Sequence, residues 1–143
     1  MQFHWLKKHC WLFLALLLAS GLKIGLLVQG VVPFNSDEAV VALMARHILA
    51  GERPVFFYGQ AYMGSLDAWF VAGGFALLGE HFWVIRLIQG LLYLMVLVST
   101  AALGRKVLGS NRAGDLTALF LAVPAVNVTL YTTVSLGGYG EAL

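Results

Sequence analysis

The chain has 143 residues, of which 60% are apolar and only 11% charged, with a net charge of +2. Soluble domains carry roughly 25% charged residues, so this composition excludes an ordinary water-soluble globule and makes lipid the expected solvent. The small net charge, with no basic stripe and no interleaved aromatic platform, excludes nucleic acid as a partner, and the single cysteine, Cys10, excludes a disulfide framework or a multi-cysteine metal site.

The first predicted element follows Lys7 and Lys8. An apolar stretch runs from Trp11 to Val32, about 22 residues or roughly 33 Å as a helix, long enough to cross a bilayer. It outruns a secretory leader, so Ala19-Ser20-Gly21 reads as the interior of an uncleaved span rather than a cleavage site. Lys23 lies about 18 Å along it. An ionisable residue at that depth is a functional candidate by default; a structural partner or snorkelling is the competing explanation.

Next comes a loop that is not a plain connector. Asn35 is placed to N-cap a helix and Glu38 stands three residues later, the spacing of a capping box. Val40, Val41, Met44 and Ile48 recur at helical spacing, Arg46 and His47 fall in the last turn, and Gly51 supplies the stop. This predicts an amphipathic surface helix. Residues 54–62 read as an irregular aromatic stretch. The apolar run from Leu66 to Leu78, with Asp67, Gly73 and Gly74 inside it, is too short to span and suits a re-entrant or interfacial helix. Its glycines favour close helix packing, and Asp67 reads as a first-turn acid after a possible N-cap at Ser65.

Two further spans are predicted, Phe82 to Leu103 and Leu116 to Leu136. The second contains Pro124, which is tolerated in a span when neighbours satisfy the freed carbonyl. If Leu66–Leu78 stays on one side, Lys7, Lys8, Arg105, Lys106 and Arg112 all fall in the cytoplasm, as the positive-inside rule requires. The expected architecture is therefore an all-α polytopic helical bundle. It has about three spans (11–32, 82–103 and 116–136), an extracytoplasmic loop over 33–80, and a cytoplasmic N-terminus.

Among groups that could carry chemistry, Asp37 and Glu38 come first. As ordinary first-turn acids they would simply complement the helix dipole. As functional groups they are carboxylates held at the lipid–water boundary, suited to general-base work or, for Asp37, to binding a divalent cation. Arg86 stands near the outer end of its span, as a phosphate contact or a snorkelling arginine. His4, His9, His47 and His81 lack ligand spacing. The Asn127-Val128-Thr129 sequon lies inside a predicted span.

The order of these features matters more than any one of them. A basic start and one span lead to Asp37-Glu38 opening an amphipathic helix. Gly51, Pro54, Gly59-Gln60 and Tyr62 follow, then a helix ending near Leu78-Gly79. Phe82, Arg86-Leu87, a span and the basic turn Gly104-Arg105-Lys106 complete the set. This ordered set resembles the N-terminal region of GT-C glycosyltransferases, in the branch of protein mannosyltransferases and aminoarabinose transferases (glycosyltransferase family 39-like). The resemblance covers the chain from about Leu12 to Leu143. It implies an integral protein of a prokaryotic plasma membrane, a polyprenyl-phosphate-linked sugar donor, an unspecified acceptor and inverting transfer at the extracytoplasmic face. Asp37 would then be the base, or the residue that organises the base position, with Glu38 its partner. Arg86, Tyr62 and Glu141, the last in the Gly137-Gly138-Tyr139-Gly140-Glu141 loop, would contact substrate. The family's Lys-Pro-Pro-Leu stretch is replaced here by Met63-Gly64-Ser65-Leu66-Asp67, which removes a cationic phosphate contact and leaves Arg86 as its substitute. Such enzymes have about a dozen spans, so the chain is expected to be a fragment or truncated reading frame. A piece of a transporter, with Lys23 and Arg86 on its substrate path, and a small non-catalytic membrane subunit are the alternative readings.

Overall fold

The computed structural model describes residues 9–136, and the fold is mostly helical. In chain order the elements are α1 (Cys10–Val28), α2 (Ser36–Leu49), a hairpin of β1 (Phe56–Phe57) and β2 (Gln60–Gly64), α3 (Leu66–Leu78), α4 (Phe82–Leu108), α5 (Asn111–Ala122) and α6 (Val126–Tyr131). They form two packed groups joined by α4.

The first group is a bundle of α1, α4 and α5 around Ala15, Ala19, Tyr93, Leu97, Ala101, Ala118 and Ala122. Small side chains dominate it, and Gly114, Ala118 and Ala122 recur every fourth residue on α5, one row on a single helix face. At the turn end of the α4–α5 pair, a Cβ placed on Gly114 would sit 2.5 Å from the Ala101 carbonyl oxygen and 2.6 Å from the Arg105 amide nitrogen. Backbones this close require glycine. Gly109, in the left-handed region at φ 62°, reverses the chain there. Arg105 on α4 then meets Asp115 on α5 at 2.6 Å, and His9, just before α1, lies 3.7 Å from the same carboxylate.

The second group is a layer built from residues 36–78. Val41, Met44 and Ala45 of α2 meet Ala68, Val71, Ala72 and Phe75 of α3, with Phe57 and Met63 of the hairpin and Val84 and Ile85 of α4 closing the core. Val40 and Ile48, also on the predicted α2 face, are partly buried against it. Asn35 and Glu38 form the predicted capping box: Asn35 Oδ1 accepts from the Glu38 amide at 2.9 Å, and Glu38 Oε2 accepts from the Asn35 amide at 3.2 Å. Gly74 lets α3 lie against α4, since a Cβ there would come 2.8 Å from Val84 Cγ1, whereas Gly73 faces open space.

Among the described residues, α1 (19 residues) and α4 (27 residues) are the two helices long and apolar enough to cross a membrane. Only 17% and 22% of their most apolar stretches are buried. Most of the apolar surface of both helices faces outward, and Leu17, Val28, Leu77 and Phe120 are among many large apolar side chains left exposed.

Three sequence expectations need correction. Residues 54–62 are not irregular: they contribute to the antiparallel hairpin, which turns at Gly59 with φ 80°. The first apolar run stops being helical at Val28, because Gly30 takes φ 62°. The third predicted span, Leu116–Leu136, is not one helix. The chain is helical from Asn111 to Ala122, breaks over 123–125, and resumes from Val126 to Tyr131. Pro124 has no N–H and disfavours the helical region for Val123, which adopts φ −118°, ψ 76°. Ala125 is extended as well, at φ −58°, ψ 157°.

The break leaves the Leu121 carbonyl without a helical donor, and a side chain of α4 takes it over, while Lys23 of α1 holds the C-terminal end of α6. Tyr93 Oη donates to the Leu121 carbonyl. Lys23 Nζ donates to the Thr129 carbonyl at 3.2 Å and to the hydroxyls of Thr132 and Thr133 at 2.5 Å and 2.8 Å. It also lies 4.6 Å from the centre of the Tyr93 ring. Lys23 thus has a structural partner: it fastens the broken segment to α1. Tyr93→Phe keeps the ring but strands the Leu121 carbonyl, and is expected to cost about 1–3 kcal/mol. Thermal unfolding in detergent measures this, and an unchanged midpoint would show that the carbonyl finds another donor.

Candidate functional site

The predicted acids lie in the first turn of α2, where the loop layer meets the ends of both long helices. Glu38 is fully buried. Its Oε1 accepts from Arg86 Nε at 3.0 Å and its Oε2 from Arg86 Nη2 at 3.1 Å, a bidentate pair. Arg86 Nη1 donates to the Val32 carbonyl at 2.9 Å. One guanidinium therefore ties together the segment leaving α1, the start of α2 and the first turns of α4. With the capping bond to Asn35, Glu38 holds three donors at its two oxygens. A carboxylate so engaged has little capacity left to accept a further hydrogen bond.

Glu38, expected as the partner of Asp37, is held by Arg86 and by the capping bond to Asn35, and so fixes the start of α2. Arg86, expected as a substrate contact, spends three of its N–H groups on Glu38 and Val32.

Asp37 differs in each respect. It is half-buried, one position along from the locked Glu38, and among the described residues it has no hydrogen-bond or ion-pair partner. The helix N-terminus holds its backbone in place while its carboxylate stays available. Among the described residues no three His, Cys, Asp or Glu side chains gather in a group that could hold a metal ion, at Asp37 or elsewhere. Tyr62, in β2, is 79% exposed and hydrogen-bonds to neither acid nor to Arg86. Glu141 lies outside the described residues.

Sequence reading missed a second buried acid. Asp67 is 2% exposed; it accepts from Gln89 Nε2 at 2.6 Å and from the Ser135 hydroxyl. Its place in the first turn of α3 suggested a surface acid after a capping serine. Instead the Ser65 hydroxyl donates to the Pro54 carbonyl at 2.6 Å, and Asp67 joins α3 to α4 and to the chain beyond α6. The polar Gln89 inside an apolar span was the available signal.

On the far side of the layer, Tyr58 braces the hairpin against the end of α2. Its hydroxyl donates to Glu52 Oε2 at 2.9 Å and lies 2.9 Å from His47 Nδ1. Desolvation, reinforced by the hydrogen bond to Glu52 and its charge, raises the Tyr58 hydroxyl above the usual phenol range, so it stays protonated as a donor at neutral pH.

Two adjoining hollows run beside the site. A chamber of about 130 Å³ between α1 and α4 is walled by Lys23 and Arg86 together with Ser20, Leu27, Gly90 and Leu91. A larger apolar trough of about 670 Å³ continues along α4, and the two share Leu91 and Leu94.

The chain matches no known family profile, no curated protein and no solved structure.

Proposed function

We propose that the chain is membrane-embedded and acts as the N-terminal region of a glycosyltransferase that moves a sugar from a polyprenyl-phosphate donor to an acceptor hydroxyl at the extracytoplasmic face. The observation that carries this reading is the contrast between neighbouring acids. Glu38 is sealed into an ion pair that fixes the helix, while Asp37 presents an uncommitted carboxylate on that rigid base. A general base needs this combination of fixed backbone and free lone pairs.

In the proposed reaction Asp37 takes the proton of the acceptor hydroxyl. The oxygen bonds to the anomeric carbon from the face opposite the carrier. The bond to the phosphate oxygen breaks, polyprenyl phosphate leaves with the electron pair, and configuration inverts. α1, α4 and the interrupted 111–136 segment are read as three crossings, the last of them a broken helix. This keeps Arg105, Lys106 and Arg112 on one side with the basic start and residues 33–80 on the other.

Asp37→Asn keeps the shape and the helix start but removes the base. In the natively expressed protein, assayed with a polyprenyl-phosphate sugar, it is expected to lower transfer by roughly 10²–10⁴-fold with donor binding little changed. Transfer at the native rate would remove Asp37 from the chemistry.

A further inference from the structure

On the three-crossing reading, the interruption of the 111–136 segment lies deep in the membrane. Tyr93, which takes the Leu121 carbonyl, stands 11 residues past the start of α4, roughly 16 Å from that end of the helix. The hydrocarbon core is about 30 Å thick, so the break sits near its middle. Lys23 of α1 reaches the same region through its bond to Thr129. Polar groups at that depth need hydrogen-bonding partners from protein, because acyl chains offer none.

The bundle covers one side of the segment, the side that carries Gly114, Ala118 and Ala122. The other side is bare. Phe120 is 82% exposed, Val123 67% and Val126 83%. Two polar groups lie within this apolar surface. Pro124 has no N–H to give the Phe120 carbonyl, and among the described residues no other donor reaches it. Asn127, which the sequence marks only as a sequon inside a predicted span, is exposed, and among the described residues its side chain makes no hydrogen bond.

These groups define what covers the surface. Lipid supplies neither donor nor acceptor at this depth. Residues 116–131 contain no charged side chain, so a charged partner would be buried there without a counter-ion. The fitting partner is a membrane helix with an uncharged side chain that both donates and accepts. An asparagine amide does both, so this face complements itself: two copies related by a twofold axis each offer Asn127 to the other.

We propose that a second copy of this chain docks on the outer face of the interrupted segment, the two Asn127 amides hydrogen-bonded across the contact and Phe120, Val123 and Val126 packed around them. The inference rests on the three-crossing reading above and not on the transfer chemistry.

Val126→Cys, in a Cys10→Ser background that leaves no other cysteine, puts a thiol beside Asn127. In membranes of cells expressing the chain, mild oxidation is expected to link V126C into a disulfide dimer. Leu17→Cys, on the exposed side of α1, should stay unlinked. Sedimentation equilibrium of the purified chain in density-matched micelles then measures self-association, with helical content followed by circular dichroism. Asn127→Leu is expected to weaken association by roughly 5–30-fold, the range for a hydrogen bond between model membrane helices, and Asn127→Gln to keep most of it. Equal linking of V126C and L17C, or a chain monomeric at every concentration, would overturn the proposal. Native association by folded N127L would do the same, since the contact would then lie elsewhere. If N127L loses its helical content, the cross-linking pair decides alone. The two proposals fail separately. A monomeric chain whose transfer falls in D37N keeps the reaction and removes the contact, whereas a dimer with native transfer in D37N does the reverse. Release of the chain from membranes by alkaline carbonate would remove the premise common to both.

Discussion

Glu38→Ala is expected to destabilise the loop layer by about 3–5 kcal/mol, the usual cost of removing one member of a buried ion pair. The loss has two parts. Arg86, 5% exposed, would keep its charge with only the Val32 carbonyl as a polar partner. The Asn35 amide would lose its side-chain acceptor, opening one half of the capping box. The layer should then loosen from α4, and protease cleavage within residues 50–62 of the chain in detergent would report it. Pairing Glu38→Gln with Arg86→Met gives the discriminating control. It removes both charges together and should recover most of the stability, since replacing a buried pair by neutral groups of similar volume is often near neutral. If E38A is as stable as the native protein, the pair is not what holds α2, and the argument that it positions Asp37 fails with it.

Gly114→Val should be comparably damaging, for a reason that owes nothing to charge. The Cβ alone would lie 2.5 Å from the Ala101 carbonyl oxygen and 2.6 Å from the Arg105 amide nitrogen, distances that force the helices apart. Two backbone contacts cannot be relieved by a rotamer change, so the cost should reach or exceed the upper end of the usual overpacking range, about 3 kcal/mol. Separation at this crossing would also stretch the Arg105–Asp115 pair, 2.6 Å in the native fold. The comparison is Gly73→Ala on α3, whose Cβ meets nothing within 4 Å; it should be neutral or slightly stabilising. Thermal unfolding of both variants in the same detergent tests the pair, and equal midpoints would show that α4 and α5 do not cross as closely as described.

The two long helices were legible because each is a continuous apolar run, a property any stretch of sequence carries by itself. Helix α2 was legible in detail, down to its capping box, since Asn35 and Glu38 are three residues apart and their bonds are local. Leu66–Leu78 was recovered with the same bounds because it too is an apolar run. The hairpin escaped because its pairing joins residues across a turn of the aromatic stretch, and no alternation of apolar and polar residues marks it. Pro124 announced a disturbance, but whether a proline kinks or interrupts a helix depends on who takes the stranded carbonyls. Here Tyr93 takes the Leu121 carbonyl, from a helix 28 residues away in sequence.

The candidate site divides in the same way. Sequence alone determined that two acids open a helix beyond the first apolar run, that lipid is the expected solvent, and that Lys23 and Arg86 are unusual where they stand. Only the tertiary structure decided that Arg86 takes Glu38 and leaves Asp37 open, that Lys23 fastens the broken segment, and that Asp67 is buried against Gln89 and Ser135. The physical reason is range. Capping and hydrophobic runs are settled within a few residues of chain, whereas a buried charge is defined by its partner, and Arg86 lies 48 residues from Glu38 and Ser135 lies 68 from Asp67.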